Sequence, residues 1–159
     1  MDNNRNTEEI DVNLDPDTIL ENLNYATYME FVNEILSIDR DALSESIAEQ
    51  AVKYASFFGL MIEAKKRLTM AQKDQEKFMY DLEKDAHAQL VGKPGRKPTA
   101  KNIDMLVFSN EDYIRREKEI VQLDYVFGLT KGLVNAFSQR KDMLVQASAG
   151  HRQETKLYT

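Results

Sequence analysis

The chain has 159 residues, about one domain's length, with 42% hydrophobic and 30% charged side chains and no tryptophan, a mix that suits long solvated helices better than a compact globule. Having no cysteine, it has no disulfide framework or thiolate chemistry, and having neither an apolar leader nor a run near the ~20 residues of a membrane span, it is expected to be a soluble, cytoplasmic protein. The net charge of −6 is uneven: residues 1–50 hold thirteen Asp/Glu against Arg5 and Arg40, a balance of −11, and the rest hold nineteen Lys/Arg against fourteen Asp/Glu, a balance of +5. An acidic total therefore does not exclude a phosphate-bearing partner.

Residues 1–14 are polar, acidic and aperiodic and are expected to form a disordered tail. Asp15-Pro16 then reads as a helix start, with a capping side chain followed by a proline in the first turn. A single N-terminal helix is expected over 15–38, with Ile19, Leu20, Leu23, Thr27, Phe31 and Ile35 on one face.

Asp39 or Asp41 caps the next helix, and no proline interrupts 41–90. Leu43, Ile47, Ala51, Tyr54, Phe58, Met61, Leu68, Met79, Leu82, Ala86 and Leu90 follow steps of three and four. Fifty such residues would make ~75 Å of helix, the length of a coiled-coil-like rod. Its seam passes through Lys65, Gln72 and Gln75, so its distal half is weakly apolar.

Residues 92–101, Gly-Lys-Pro-Gly-Arg-Lys-Pro-Thr-Ala-Lys, hold two of three prolines, two of six glycines and four cations, and no acid occurs between Asp85 and Asp104. Proline and glycine break helices, so this is the expected basic tip of a hairpin spanning 39–150. Thr99 caps a short piece with Ile103, Leu106 and Val107, and Ser109-Asn110-Glu111-Asp112 opens a last long helix. Tyr113, Ile120, Leu123, Phe127, Val134, Phe137, Leu144 and Ala147 form its stripe. It is expected to fray near Gly150, leaving 151–159 as a C-terminal tail. The fold class is all-α: a long antiparallel helical hairpin with a short N-terminal helix, assembling as an oligomer.

Folding about Gly95 makes antiparallel partners' numbers sum to roughly 190. Gly59 then faces the stretch from Gly128 to Gly132, and with Ala136 these glycines predict close backbone approach, since glycine inside a helix costs ~1 kcal/mol relative to alanine. Val121, Val126, Leu129, Leu133, Met143 and Val145 lie off the main stripe and would leave an apolar patch on a monomer. A homo-oligomer is the expected remedy.

Chemistry is sparse. The sequence sets neither His87 nor His151 in an obvious catalytic arrangement with a carboxylate or cysteine, and Asp81 and Asp85 have Lys77 and Lys84 beside them, so no catalytic residue, metal or cofactor is expected. The tip is no P-loop: Gly92 and Gly95 are too close, Pro98 separates Lys97 from Thr99, and no strand precedes. Nucleic-acid binding fits better. Lys65, Lys66, Arg67, Lys73, Lys77 and Lys84 lead to the tip, Arg115, Arg116 and Lys118 lead away, and Tyr80 and Tyr113 offer stacking faces. Cations that follow phosphates and rings that stack on bases are what single-strand binders use. The competing expectation is a non-enzymatic helical adaptor or structural oligomer acting through protein contacts, its lysines paired with Glu63, Glu76, Asp81 and Glu119.

Tyr54-Ala55-Ser56-Phe57-Phe58 begins a charged helix ending at a Gly-rich turn. Met105-Leu106-Val107-Phe108-Ser109 and a capped helix with Leu123-Asp124-Tyr125-Val126-Phe127-Gly128-Leu129 follow. Over roughly residues 45–150, this order of parts resembles the UvsY-type recombination mediators of tailed phages. The resemblance implies an oligomeric helical protein that binds single-stranded DNA and helps a RecA-like recombinase displace a single-strand-binding protein. It implies ring assembly through the C-terminal helix, here Phe127, Gly128, Gly132, Ala136, Phe137 and Leu144. It also implies DNA contacts just before the turn, where Leu82-Glu83-Lys84-Asp85 supplies only Lys84. The expected nucleic-acid site is therefore the loop, Lys93, Arg96, Lys97 and Lys101, with Lys84, Arg115 and Arg116.

Overall fold

The computed structural model describes residues 15–38, 42–91, 95 and 97–157, the last six by backbone alone. The acidic segment 1–14, the caps Asp39 and Asp41, and the loop cations Lys93 and Arg96 lie outside the described residues. Within them the chain forms five α-helices and no strand: α1 (Pro16–Asn22), α2 (Tyr25–Leu36), α3 (Leu43–Leu90), α4 (Ala100–Phe108) and α5 (Glu111–Leu157).

Asp15 opens α1 as expected, its carboxylate accepting the Thr18 N–H at 3.4 Å ahead of Pro16. The expected single helix over 15–38 is broken, however, at Leu23-Asn24. Asn24 Oδ1 accepts the amides of Ala26 and Thr27 at 2.9 and 3.2 Å, and Thr27 Oγ1 accepts the Asn24 amide at 2.9 Å. This reciprocal capping box gives the backbone a better partner set than a continued helix. Leu20 in α1 and Leu23 at its end are both buried in the core. α2 ends at Ser37, whose N–H reaches back to Asn33 and Glu34.

α3 and α5 pair antiparallel. Residues joined across them have numbers adding to between 186 and 194, close to the expected 190. The chain divides into two compact units, one of residues 1–63 with 128–159, the other of residues 64–127.

In the first unit, Phe57 of α3 lies edge-on to Phe31 of α2 at 5.6 Å and against Phe137 of α5 at 5.0 Å. Leu20, Leu23, Ile35, Leu60, Leu133 and Leu144 close the core around them. Gln50 donates to the Phe137 carbonyl at 2.9 Å, and buried Arg140 donates to the Ser46 carbonyl and Gln50 Oε1 at 3.1 and 2.8 Å. These bonds satisfy polar groups that burial would otherwise penalise. Glu49 and Lys53 form an ion pair one turn apart at 2.8 Å, and the Lys53 ammonium holds the Glu49 carboxyl below the usual carboxylate range.

The buried stripe of α3 here is not the expected one. Ser46, Phe57 and Leu60 face inward, whereas Ile47, Tyr54 and Phe58 are 47%, 37% and 40% exposed. Both sets obey helical spacing, and the ring contacts of Phe57 with α2 and α5 select the first. Two α5 residues expected off the stripe, Val126 and Leu133, are buried. The expected close approach at the glycines is also corrected. A Cβ on Gly59 or Gly128 would meet nothing within 4 Å, and the neighbour of Gly132 is Tyr28 of α2, whose hydroxyl lies 2.8 Å from a built Cβ. The small-residue site accommodates a ring, not a backbone. α5 runs past Gly150 to Leu157 instead of ending in a tail. One glycine costs about 1 kcal/mol, too little to stop a helix that no proline or cap interrupts.

In the second unit, Leu68, Ala86, Leu90, Val107 and Val126 are buried. Gln75 is buried too, donating to Glu117 Oε1 at 3.0 Å, and the Arg116 guanidinium lies 4.4 Å over the Phe78 ring. The weakly apolar stretch foreseen around Gln75 is thus a polar layer between α3 and α5 within this unit.

Candidate nucleic-acid interface

The described end of the basic loop is held by its backbone. The Lys97 carbonyl accepts the Thr99 amide at 2.8 Å and the Asn102 side-chain amide at 2.9 Å, while Thr99 Oγ1 caps α4 by accepting the Asn102 N–H at 3.4 Å. Gly95 takes a positive φ of 77°, which glycine adopts without strain. Lys97 and Lys101 are both exposed. Lys101 stands in the first turn of α4, where no acid occurs and where a cation opposes the helix dipole by a few tenths of a kcal/mol. The helix gains nothing from a lysine there.

α4 has two faces. Ile103, Leu106 and Val107 turn toward the unit's interior, Val107 being 2% exposed. Lys101, Met105 and Phe108, at i, i+4 and i+7, share the outer face, with Met105 64% and Phe108 55% exposed. The Phe108 ring meets the Tyr113 ring at 5.5 Å in a T-shaped contact and stays more than half exposed. Met105 and Phe108 were absent from the sequence-based site. Their spacing from Lys101 is visible in the sequence, but the same apolar residues serve equally well as core until α4's inner face is known.

The remaining expected cations differ in availability. Lys84 is exposed between exposed Glu83 and Asp85. Arg115 pairs with Asp112 at 2.8 Å on the surface. Arg116 is half-buried on Phe78 and contributes to the unit's packing. Of the two expected stacking tyrosines, Tyr80 is 68% exposed. Tyr113 is half-buried, and burial together with the Glu117 carboxylate raises its phenol above the ordinary range.

The residues assigned to assembly are mostly used within one chain. Ala136, Phe137 and Leu144 are 5%, 1% and 3% exposed, Gly132 faces Tyr28, Phe127 is half-buried and Gly128 is open.

Charge follows the two units. The first holds sixteen Asp/Glu against eight Lys/Arg, a balance of −8, and the second eleven against thirteen, a balance of +2. In the first unit, a cavity of about 30 Å³ lined by Phe31, Glu34, Lys53, Phe57, Phe137 and Arg140 has room for a water molecule. Among the described residues, no helix is long and apolar enough to cross a membrane, and no three His, Cys, Asp or Glu side chains gather around a possible metal position. No family model, curated protein or solved structure matches this chain.

Proposed function

We propose that this protein binds single-stranded DNA through the basic end of its second unit and acts without enzymatic chemistry as a recombination mediator, helping a RecA-like recombinase load where a single-strand-binding protein coats the strand. The observation that carries the binding is the outer face of α4, where Lys101 leads two exposed apolar side chains and Lys97 is fixed just ahead. Lysines neutralise phosphates, and an exposed aromatic side chain can stack on any unpaired base, so the combination favours single strands over duplex and tolerates sequence. The mediator role is what the resemblance to UvsY-type proteins implies.

Fluorescence anisotropy with a labelled single-stranded oligonucleotide, across a salt series, tests the binding. Replacing Lys93, Arg96, Lys97 and Lys101 by Ala should reduce the slope of log K against log salt by about 3, from ~0.7 per phosphate contact on single strands. Phe108→Ala should instead weaken binding by ~1–3 kcal/mol at every salt concentration and leave the slope unchanged. No binding at ~50 mM salt, where phosphate contacts are strongest, refutes the reading.

One observation favours a second reading, a helical adaptor or structural oligomer. The first unit exposes an apolar stripe on α3, and single-strand binding has no use for it.

A further inference from the structure

Between Ser46 and Ile62, α3 carries only two charged side chains, Glu49 and Lys53, and these neutralise each other at 2.8 Å. Ile47, Ala51, Tyr54, Ala55, Phe58 and Ile62 recur at the threes and fours of a heptad seam and are all exposed. On a helix of 100° per residue they fall within one arc about 100° wide. That arc points away from the face that carries Phe57, Leu60 and Ala64 into the core. Tyr54 and Phe58 stack on each other at 5.9 Å, so the centre of the seam is a preformed aromatic surface. α1 bounds one flank, where Asp15, Pro16 and Asp17 face Ala55, Ser56 and Gly59 across an open cleft.

We infer that this seam is the contact for a second copy of the chain, two α3 helices lying antiparallel across a two-fold axis at the level of Tyr54 and Ala55. Size complementarity points to self-pairing. The antiparallel arrangement sets Phe58 of one copy against Ala51 of the other, Tyr54 against Ala55, and Ile47 against Ile62. At the centre of the seam each ring thus meets an alanine, as knobs fill holes, and the isoleucines close its two ends. A parallel arrangement would stack ring on ring and leave the alanines facing each other. Charge permits it: the seam holds no charge beyond the paired Glu49 and Lys53, so two copies of a unit with balance −8 meet there with the least repulsion. Two heptads are short for free peptides, but each helix is already held by its own chain, so pairing incurs no cost of helix formation. The assembly site thereby moves from the α5 residues, most of which the monomer's core uses, to the outer side of α3. It stands whether or not the tip binds nucleic acid.

The full chain has no cysteine, so single substitutions report the pairing directly. Oxidised Ala55→Cys should form a covalent dimer with itself. Ile47→Cys and Ile62→Cys, ~22 Å apart along the helix at 1.5 Å per residue, should each form no covalent dimer alone and cross-link when mixed. Light scattering should give the cysteine-free protein twice its 18.4 kDa chain mass. Phe58→Glu should halve that mass with helical circular dichroism unchanged, a control for folding, and single-strand binding measured beside it separates this proposal from the previous one. A monomer mass up to ~100 μM, a Phe58→Glu mass equal to the parent's, or self-cross-linking at 47 and 62, the sign of a parallel pair, each overturns it.

Discussion

Glycines 128 and 132 are one helical turn apart and have opposite surroundings. A methyl group at Gly128 would meet open space, so Gly128→Ala should raise stability by up to ~1 kcal/mol, the helix-propensity difference between the two residues. At Gly132 the same methyl group would sit 2.8 Å from the Tyr28 hydroxyl and 2.9 Å from its ring, and the ring must move to admit it. Gly132→Ala should therefore show no gain or a loss. Urea midpoints of the two variants measured side by side check this, and an equal gain at both sites would contradict the Tyr28 contact. A glycine in a sequence marks room for something; whether that is backbone, ring or solvent depends on what packs there.

At the scale of elements, Asn24 decides that the N-terminal region is two helices. Asn24→Ala removes the acceptor for two amides and half of the capping box, and should cost ~1 kcal/mol in chemical denaturation. Helical content by circular dichroism should not fall, because alanine favours continuing the helix through the break. A variant as stable as the parent would show that the cap is not what divides α1 from α2. Leu20 and Leu23, just ahead of the break, are both buried in the core of the first unit. α4 shows the same dependence on context. Its cap at Thr99 and its apolar residues are readable from spacing, but its exposed face with Met105 and Phe108 is defined by which side meets the interior.

For the whole molecule, the separation of charge makes electrostatics the natural lever. Deleting residues 2–14 removes Asp2, Glu8, Glu9, Asp11 and Arg5, changing the net charge from −6 to −3. Single-strand affinity should rise several-fold at ~50 mM salt, and the difference should vanish by ~300 mM as screening shortens its reach. Unchanged or weaker binding at low salt would show that this segment does not compete with DNA. A longer deletion to residue 38 is unsuitable as a test, because it removes Leu20, Leu23, Phe31 and Ile35 from the first unit.

Local rules alone determined the helical class, the hairpin turn near Gly95, the α3–α5 register and the caps at Asp15 and Thr99. Each rests on interactions spanning a few residues or on chain reversal, which spacing encodes directly. Tertiary packing decided which of two equally periodic stripes on α3 is buried, why Gly132 is small and why Arg116 is turned inward. Helical periodicity repeats every three or four residues in either stripe, so only a partner such as Phe31 or Phe137, distant in sequence, can break the tie in favour of Phe57. The basic loop was legible as charge from composition. The exposed α4 face beside it, and the free aromatic seam on α3, emerged once the monomer's own core had claimed the other candidates.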